Sequence, residues 1–281
     1  MKKEYTVEEL SAIATRIRMD VIQSIYTAGS GHPGGSLSIA DILSVLYFRE
    51  MDIDPDNPAA EDRDRFVLSK GHAAPALYAA LAERGYFPRD ELESLRKITS
   101  RLQGHPDMKH IPGVEMSTGS LGQGLSVACG MALYAKLNRK SFHVYAMVGD
   151  GELQEGLIWE AAMSAGYRAL NNLTVFLDQN GLQIDGKVSD VMGISPVADK
   201  FTAFGWSVTE VDGHDIEALI QATEWAKKAV DKPTLIICKT VKGKGVSFME
   251  NQVAWHGSAP NEEQYALAMA ELKETLHRNG E

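Results

Sequence analysis

Five short apolar runs, at 65–69, 143–148, 173–178, 206–211 and 234–239, are separated by segments of helical length. A strand that rejoins its sheet through a helix runs parallel to its predecessor, and a parallel sheet needs cover on both faces. This alternation predicts an α/β fold, a mostly parallel sheet with helices on both faces. Thr6 and Glu9 have capping-box spacing, and Leu10, Ile13, Ile17, Val21, Ile22 and Ile25 follow at helical period as far as Gly29. Further helices are expected over 39–48, 73–84, 90–97, 153–168, 197–204, 216–230 and 262–276. Another should run from the glycine-rich turn at 117–124 to about residue 137. The segment 30–36 is too rich in Gly and Pro for either regular element, and 51–64 reads as a solvated loop. With no repeat, biased tract or long linker, residues 1–281 read as one domain.

Composition narrows the function classes. Hydrophobic residues at 44% exclude a disordered chain. A formal charge of −10, from 28 Lys+Arg against 38 Asp+Glu, argues against a nucleic-acid partner, which needs a cationic face. Cys129 and Cys238 lie in apolar runs and read as buried thiols, not as a disulfide framework. No apolar stretch follows the first lysines, and apolar runs are strand-sized. The expectation is a cytoplasmic protein with no membrane partner.

Ligands of parallel sheets bind at the carboxyl ends of the strands. Gly149-Asp150-Gly151 and Asn180-Gly181 both fall there, separated by about one strand–helix–strand crossover. Asp150 and Asn180 should therefore emerge side by side. A carboxylate, an amide oxygen and a nearby carbonyl suit Mg²⁺ completed by phosphate oxygens; the plainer alternative is an Asp-Gly turn without ligand. Five of the eight histidines adjoin glycine: His32, His72, His105, His214 and His256. No histidine pair has zinc-ligand spacing, and the loops lack cysteine. On tight turns, His32, His72, His105 and His256 suit bonding to hydroxyls or phosphate and proton transfer, against the alternative of solvated turn residues. His214, just ahead of a helix cap at Asp215, reads as structural. The glycines at 117–124 either admit a flat ring or simply pack helix against sheet.

GDGELQEG (149–156) with Asn180 resembles the thiamin-diphosphate motif. SGHPGG (30–35), SKGHAAPALYA (69–79), QGHPD (103–107), STGSLGQG (117–124) and WHGSAP (255–260) are similar, in order, to transketolases in particular. Deoxyxylulose-phosphate synthases and 2-oxoacid dehydrogenase subunits share GDG and Asn but lack the LQEG continuation. The resemblance covers the first of three transketolase domains, the diphosphate-binding one. It implies the N-terminal subunit of a split transketolase, with a C-terminal partner subunit carrying the pyrimidine-binding domain, in two copies of each chain. It further implies thiamin diphosphate held through Mg²⁺ (or Ca²⁺) by Asp150, Asn180 and the Leu182 carbonyl. His72, Gly151 and His256 would contact the diphosphate, and Gly119 and Leu121 the rings. His32, His105 and His256 would line the channel for a sugar phosphate whose two-carbon ketol unit is transferred. Glu155 and Glu160 would form an acidic link at the subunit interface. Lys242 departs from the apolar residue expected there by resemblance, and either covers the diphosphate or meets the partner. Two other functions stay open: a split enzyme for a branched or sulfonated sugar phosphate, and a non-catalytic diphosphate-binding subunit.

Overall fold

The computed structural model describes residues 4–278. Thr6 caps helix α1 (Val7–Ala28) with the expected capping box, and Gly29 ends it in the left-handed conformation at φ 62°. The chain continues through α2 (Pro33–Leu37), α3 (Ala40–Val45) and a π-helical turn, Leu46–Glu50, to β1 (Arg65–Leu68). Helix α4 (Ala74–Arg84) is followed by a 3₁₀ segment, Arg89–Ser94, and α5 (Gln123–Leu137) leads to β2 (Val144–Gly149). Helix α6 (Gly156–Tyr167) crosses to β3 (Leu173–Gln179), and a small ribbon, β4 (Leu182–Gln183) with β5 (Gly186–Lys187), precedes α7 (Val188–Met192) and α8 (Val197–Ala203). Strand β6 (Ser207–Asp212), α9 (Ile216–Lys227), β7 (Thr234–Lys239) and α10 (Glu262–Arg278) complete the order.

All five long strands run parallel in the order β1-β2-β3-β7-β6. Period-two alternation sends successive side chains to opposite faces, and two cores result. Phe66, Tyr145, Met147, Phe176 and Ile236 pack with α1, α3, α4 and α9, and Val144, Ala146, Val148, Val175 and Ile237 pack with α5, α6 and α8. The strand order reverses between β3 and β7, and a cavity is lined by residues at and beyond the carboxyl ends of β1, β2, β3 and β7.

Three local expectations need correction. The Gly/Pro-rich 30–36 segment contains α2, because Pro33 sits at its start with φ already helical and the turn is fully buried. The segment expected as a helix over 90–97 is only a 3₁₀ run; Arg96 adopts a left-handed φ of 60° and its N–H turns to the Leu102 carbonyl. The helix expected over 153–168 begins at Gly156, after a separate 3₁₀ turn at Gly151–Gln154. Both cysteines are buried thiols, as expected. Among the described residues, no helix is long and apolar enough to cross a membrane.

Candidate functional site

The register aligns Gly149 of β2 with Asp178 of β3, so the residues that follow leave the sheet side by side. Asp150 accepts Gly151 N–H at 2.8 Å through one oxygen and Gly181 N–H through the other. Burial, and then the nearby Asp178 carboxylate, push Asp150 up to about 6. Asn180 donates its amide to Asp178 at 3.0 Å, which leaves its oxygen as the acceptor, met by Leu182 N–H at 3.1 Å. Asp150, Asn180 and Leu182 line one cavity of about 290 Å³. Their donor set of carboxylate, amide and carbonyl oxygen suits a hard cation such as Mg²⁺. No group of three or more His, Cys, Asp or Glu side chains is placed to hold a metal among the described residues.

The same cavity is also lined by cationic and imidazole groups. Lys242 is buried and donates to the Leu182 carbonyl at 3.1 Å and to His256 Nδ1 at 2.8 Å. That donation leaves the His256 proton on Nε2, free to serve as a donor. Burial and the neighbouring Lys70 bring Lys242 down to about 8. His72 packs nearly parallel to His256 at 5.2 Å between centroids, and His32 meets their edges at 5.4 and 5.7 Å. Burial, then Lys242, hold His256 down at about 3; burial, then Arg96, hold His32 at about 4. Burial and Lys70 hold His72 well below the imidazole range. These rings are neutral donors and acceptors, and His32 Nδ1 is buried without a hydrogen-bond partner among the described residues. A phosphate-bearing ligand fits such a lining: its oxygens accept from ammonium and imidazole N–H groups.

Of the residues expected at the site, His72, Leu121, Asp150, Gly151, Glu155, Asn180, Leu182 and His256 line this cavity. His32 stands behind it against the other two imidazoles. Gly119 lies in an adjoining groove, and a Cβ there would come within 3.1 Å of the His105 ring, so His105 flanks the glycine turn outside the cavity lining. Glu160 is exposed on α6, one turn beyond Glu155, and does not reach the cavity.

Sequence reasoning missed the scaffold beneath. Lys70 and Asp178 form a buried ion pair, in which Lys70 also donates to the Gly35 carbonyl at 2.8 Å. Asp178 additionally accepts from Ser38, Thr240 and Asn180. Burial would raise this carboxyl, but Lys70 and these donors hold it below the usual carboxylate range. Buried Glu152 accepts from Ser69, from Gly122 N–H at 2.9 Å and from Gly149 N–H at 3.0 Å, tying the glycine turn to β2. The available signal was one charge at the end of each apolar strand, at Lys70 and Asp178.

The family described as "Transketolase, thiamine diphosphate binding domain" matches residues 10–277. A 6-deoxy-6-sulfo-D-fructose transketolase subunit of Clostridium sp. (strain MSTE9) is 48% identical over 94% of this chain and 96% of its own length. An apulose-4-phosphate transketolase subunit of Phocaeicola vulgatus is 42% identical over 97% of this chain and 96% of its own. The crystal structure of transketolase from Campylobacter jejuni superposes with a TM-score of 0.89 at 34% identity, over 99% of this chain but 46% of that one. The chain thus spans under half of that transketolase and nearly the full length of the two subunits. With the family match, the fold and the cavity in agreement, the chain belongs to the transketolase family, as its thiamine diphosphate-binding domain.

Proposed function

We propose that the chain is one subunit of a two-chain transketolase, moving a two-carbon ketol unit from a ketose phosphate to an aldose phosphate. The observation that carries this reading is coverage: the relatives matched over nearly their whole length are themselves named as transketolase subunits, whereas single-chain transketolases extend far beyond this one. In this reading Asp150, Asn180 and the Leu182 carbonyl hold Mg²⁺, and His72, His256, Lys242 and Gly151 N–H hold the diphosphate. Thiamine diphosphate, when bound, supplies an electron sink for carbon–carbon cleavage. This chain's own part is to bind, orient and exclude water. Neutral His32 and His256 exchange protons with substrate hydroxyls, and His105 frames the ring-binding turn.

The partner subunit contributes the pyrimidine-binding domain, and two copies of each chain assemble. Exposed apolar residues that support assembly are Tyr134 and Leu137 on α5 and Leu157, Met163 and Tyr167 on α6, two helices that pack together. Exposed large apolar side chains, where they adjoin, mark interaction sites.

The 48% identity to a sulfosugar transketolase subunit favours one second reading, a sulfonated ketose as donor. Both readings are tested by purifying the chain alone and with a co-expressed partner, then measuring aldose formation from fructose 6-phosphate and from 6-deoxy-6-sulfofructose. Transfer by the pair and none by the chain alone is expected, and the preferred donor decides the substrate. Turnover by the isolated chain would remove the partner requirement. Transfer unaffected by replacing His32, His105 or His256 would point instead to a binding subunit.

A further inference from the structure

His214 lies outside the cavity, on the turn between β6 and α9, yet its ring reaches two elements at once. Nδ1 is 2.7 Å from Asp41 Oδ2 on α3, and Nε2 accepts Val241 N–H at 2.9 Å on the loop after β7. An Nε2 that accepts a backbone N–H carries no proton, so the ring is the Nδ1–H tautomer donating to Asp41. Asp41 is in turn gripped by both terminal nitrogens of Arg18, whose Nε donates to the Leu37 carbonyl at 3.3 Å. The side chains of Arg18, Asp41 and His214 are 7, 8 and 12% exposed, so the chain of contacts is shielded from water.

The Val241 loop carries Lys242. Thr240 is anchored on its β3 side by Asp178, Val241 on its β6 side by His214, and the Lys242 ammonium ends between the Leu182 carbonyl and His256. Close approach of the two loops depends on Gly213, where a Cβ would lie 2.5 Å from Thr240. Gly213 N–H also donates to the Lys239 carbonyl at 2.8 Å. Asp215, the neighbouring residue, has the separate task of capping α9, accepting Ala218 N–H at 3.0 Å.

We propose that His214 is a positioning residue: by accepting the Val241 N–H it holds the Val241–Lys242 backbone so that Lys242 faces the diphosphate pocket. The proposal rests on the reading of that pocket given above. The glutamine and asparagine variants separate the two ring contacts. His214→Gln can place an acceptor where Nε2 stands while losing the Asp41 donor; His214→Asn can keep the Asp41 donor while losing the acceptor. Two quantities are measured on the full chain purified with its co-expressed partner: amide hydrogen exchange at Val241, and calorimetric affinity for thiamine diphosphate with Mg²⁺.

His214→Asn and His214→Ala should speed Val241 exchange and weaken the affinity, each by about tenfold or more. His214→Gln should stay within about twofold of wild type in both. Rescue by asparagine and not by glutamine would make His214 only a partner of Asp41 and overturn the proposal, as would unchanged exchange and affinity in all three variants. A wild-type complex with the partner that binds no thiamine diphosphate would instead overturn the pocket reading, and the assignment with it. In that case Val241 exchange would still report whether His214 holds the loop.

Discussion

The two ends of the sheet both hold half-buried histidine, and they differ in what surrounds it. At the amino end, His143 Nε2 lies 2.8 Å from Thr174 Oγ1, which lies 2.9 Å from Thr234 Oγ1, a chain of contacts that crosses three adjacent strands. At the carboxyl end, His32, His72 and His256 pack against one another beside Lys242 around a cavity. Burial is the first cause of a depressed imidazole at both ends, reaching about 3 for His143 and for His256 alike. A low imidazole pKa therefore reports desolvation at either end. What distinguishes the site is the shared cavity, lined by ammonium and imidazole groups together with oxygen donors.

The largest expected difference lies in stability. Asp178→Ala leaves Lys70 buried without its carboxylate and should cost about 3–5 kcal/mol. Thr174→Val, which interrupts the amino-end chain, should cost about 1 kcal/mol. Urea unfolding of the two variants measures both, and equal losses would break the contrast.

Ligand affinity should then divide the histidines. His72→Asn is expected to weaken Mg²⁺–thiamine diphosphate binding by about 10- to 100-fold, the loss of one hydrogen bond to a charged group. His143→Asn, at the far end, should leave affinity within about twofold even if it lowers the unfolding midpoint. Calorimetric titration of each variant decides the matter.

The pH dependence sharpens the same contrast. His143 titrates at about 3 when folded, below the 6.5 of an unperturbed imidazole. Between those values the unfolded state binds the extra proton. Stability should therefore be intact above about pH 6.5 and fall as the pH drops toward 3, by up to about 1.4 kcal/mol per unit for each such histidine. His143→Gln should flatten the curve by close to one proton's slope, and thiamine diphosphate should not restore that portion. A slope unchanged in His143→Gln would assign the whole effect to the cavity histidines. The smallest effect is expected at Glu160: on an exposed helix face, Glu160→Gln should shift the stability of the isolated chain by less than about 0.5 kcal/mol. A weakened assembly in that variant would place it at the subunit interface.

Much of the architecture was legible because local physics encodes it. Val144, Ala146 and Val148 face one core while Tyr145 and Met147 face the other, an alternation written directly into the run. The crossover length from Asp150 to Asn180 placed them together, and they line one cavity. Local reading failed where burial and hydrogen bonding overrode composition: Pro33 begins a buried helix despite its glycines, and Arg96 leaves the helical region to meet Leu102.

By itself, then, the amino-acid sequence determined the strand–helix order, the oxygen donors at Asp150 and Asn180, and the glycine-flanked histidines. Tertiary structure alone decided that Lys70 meets Asp178 across 108 residues, that His214 meets Asp41 across 173, and that Lys242 ends between Leu182 and His256. The reason is physical. Periodicity records which side of an element is apolar, whereas the pairing of buried charges depends on strand order. Nothing in the spacing of β3, β6 and β7 along the chain indicates that β7 lies between the other two.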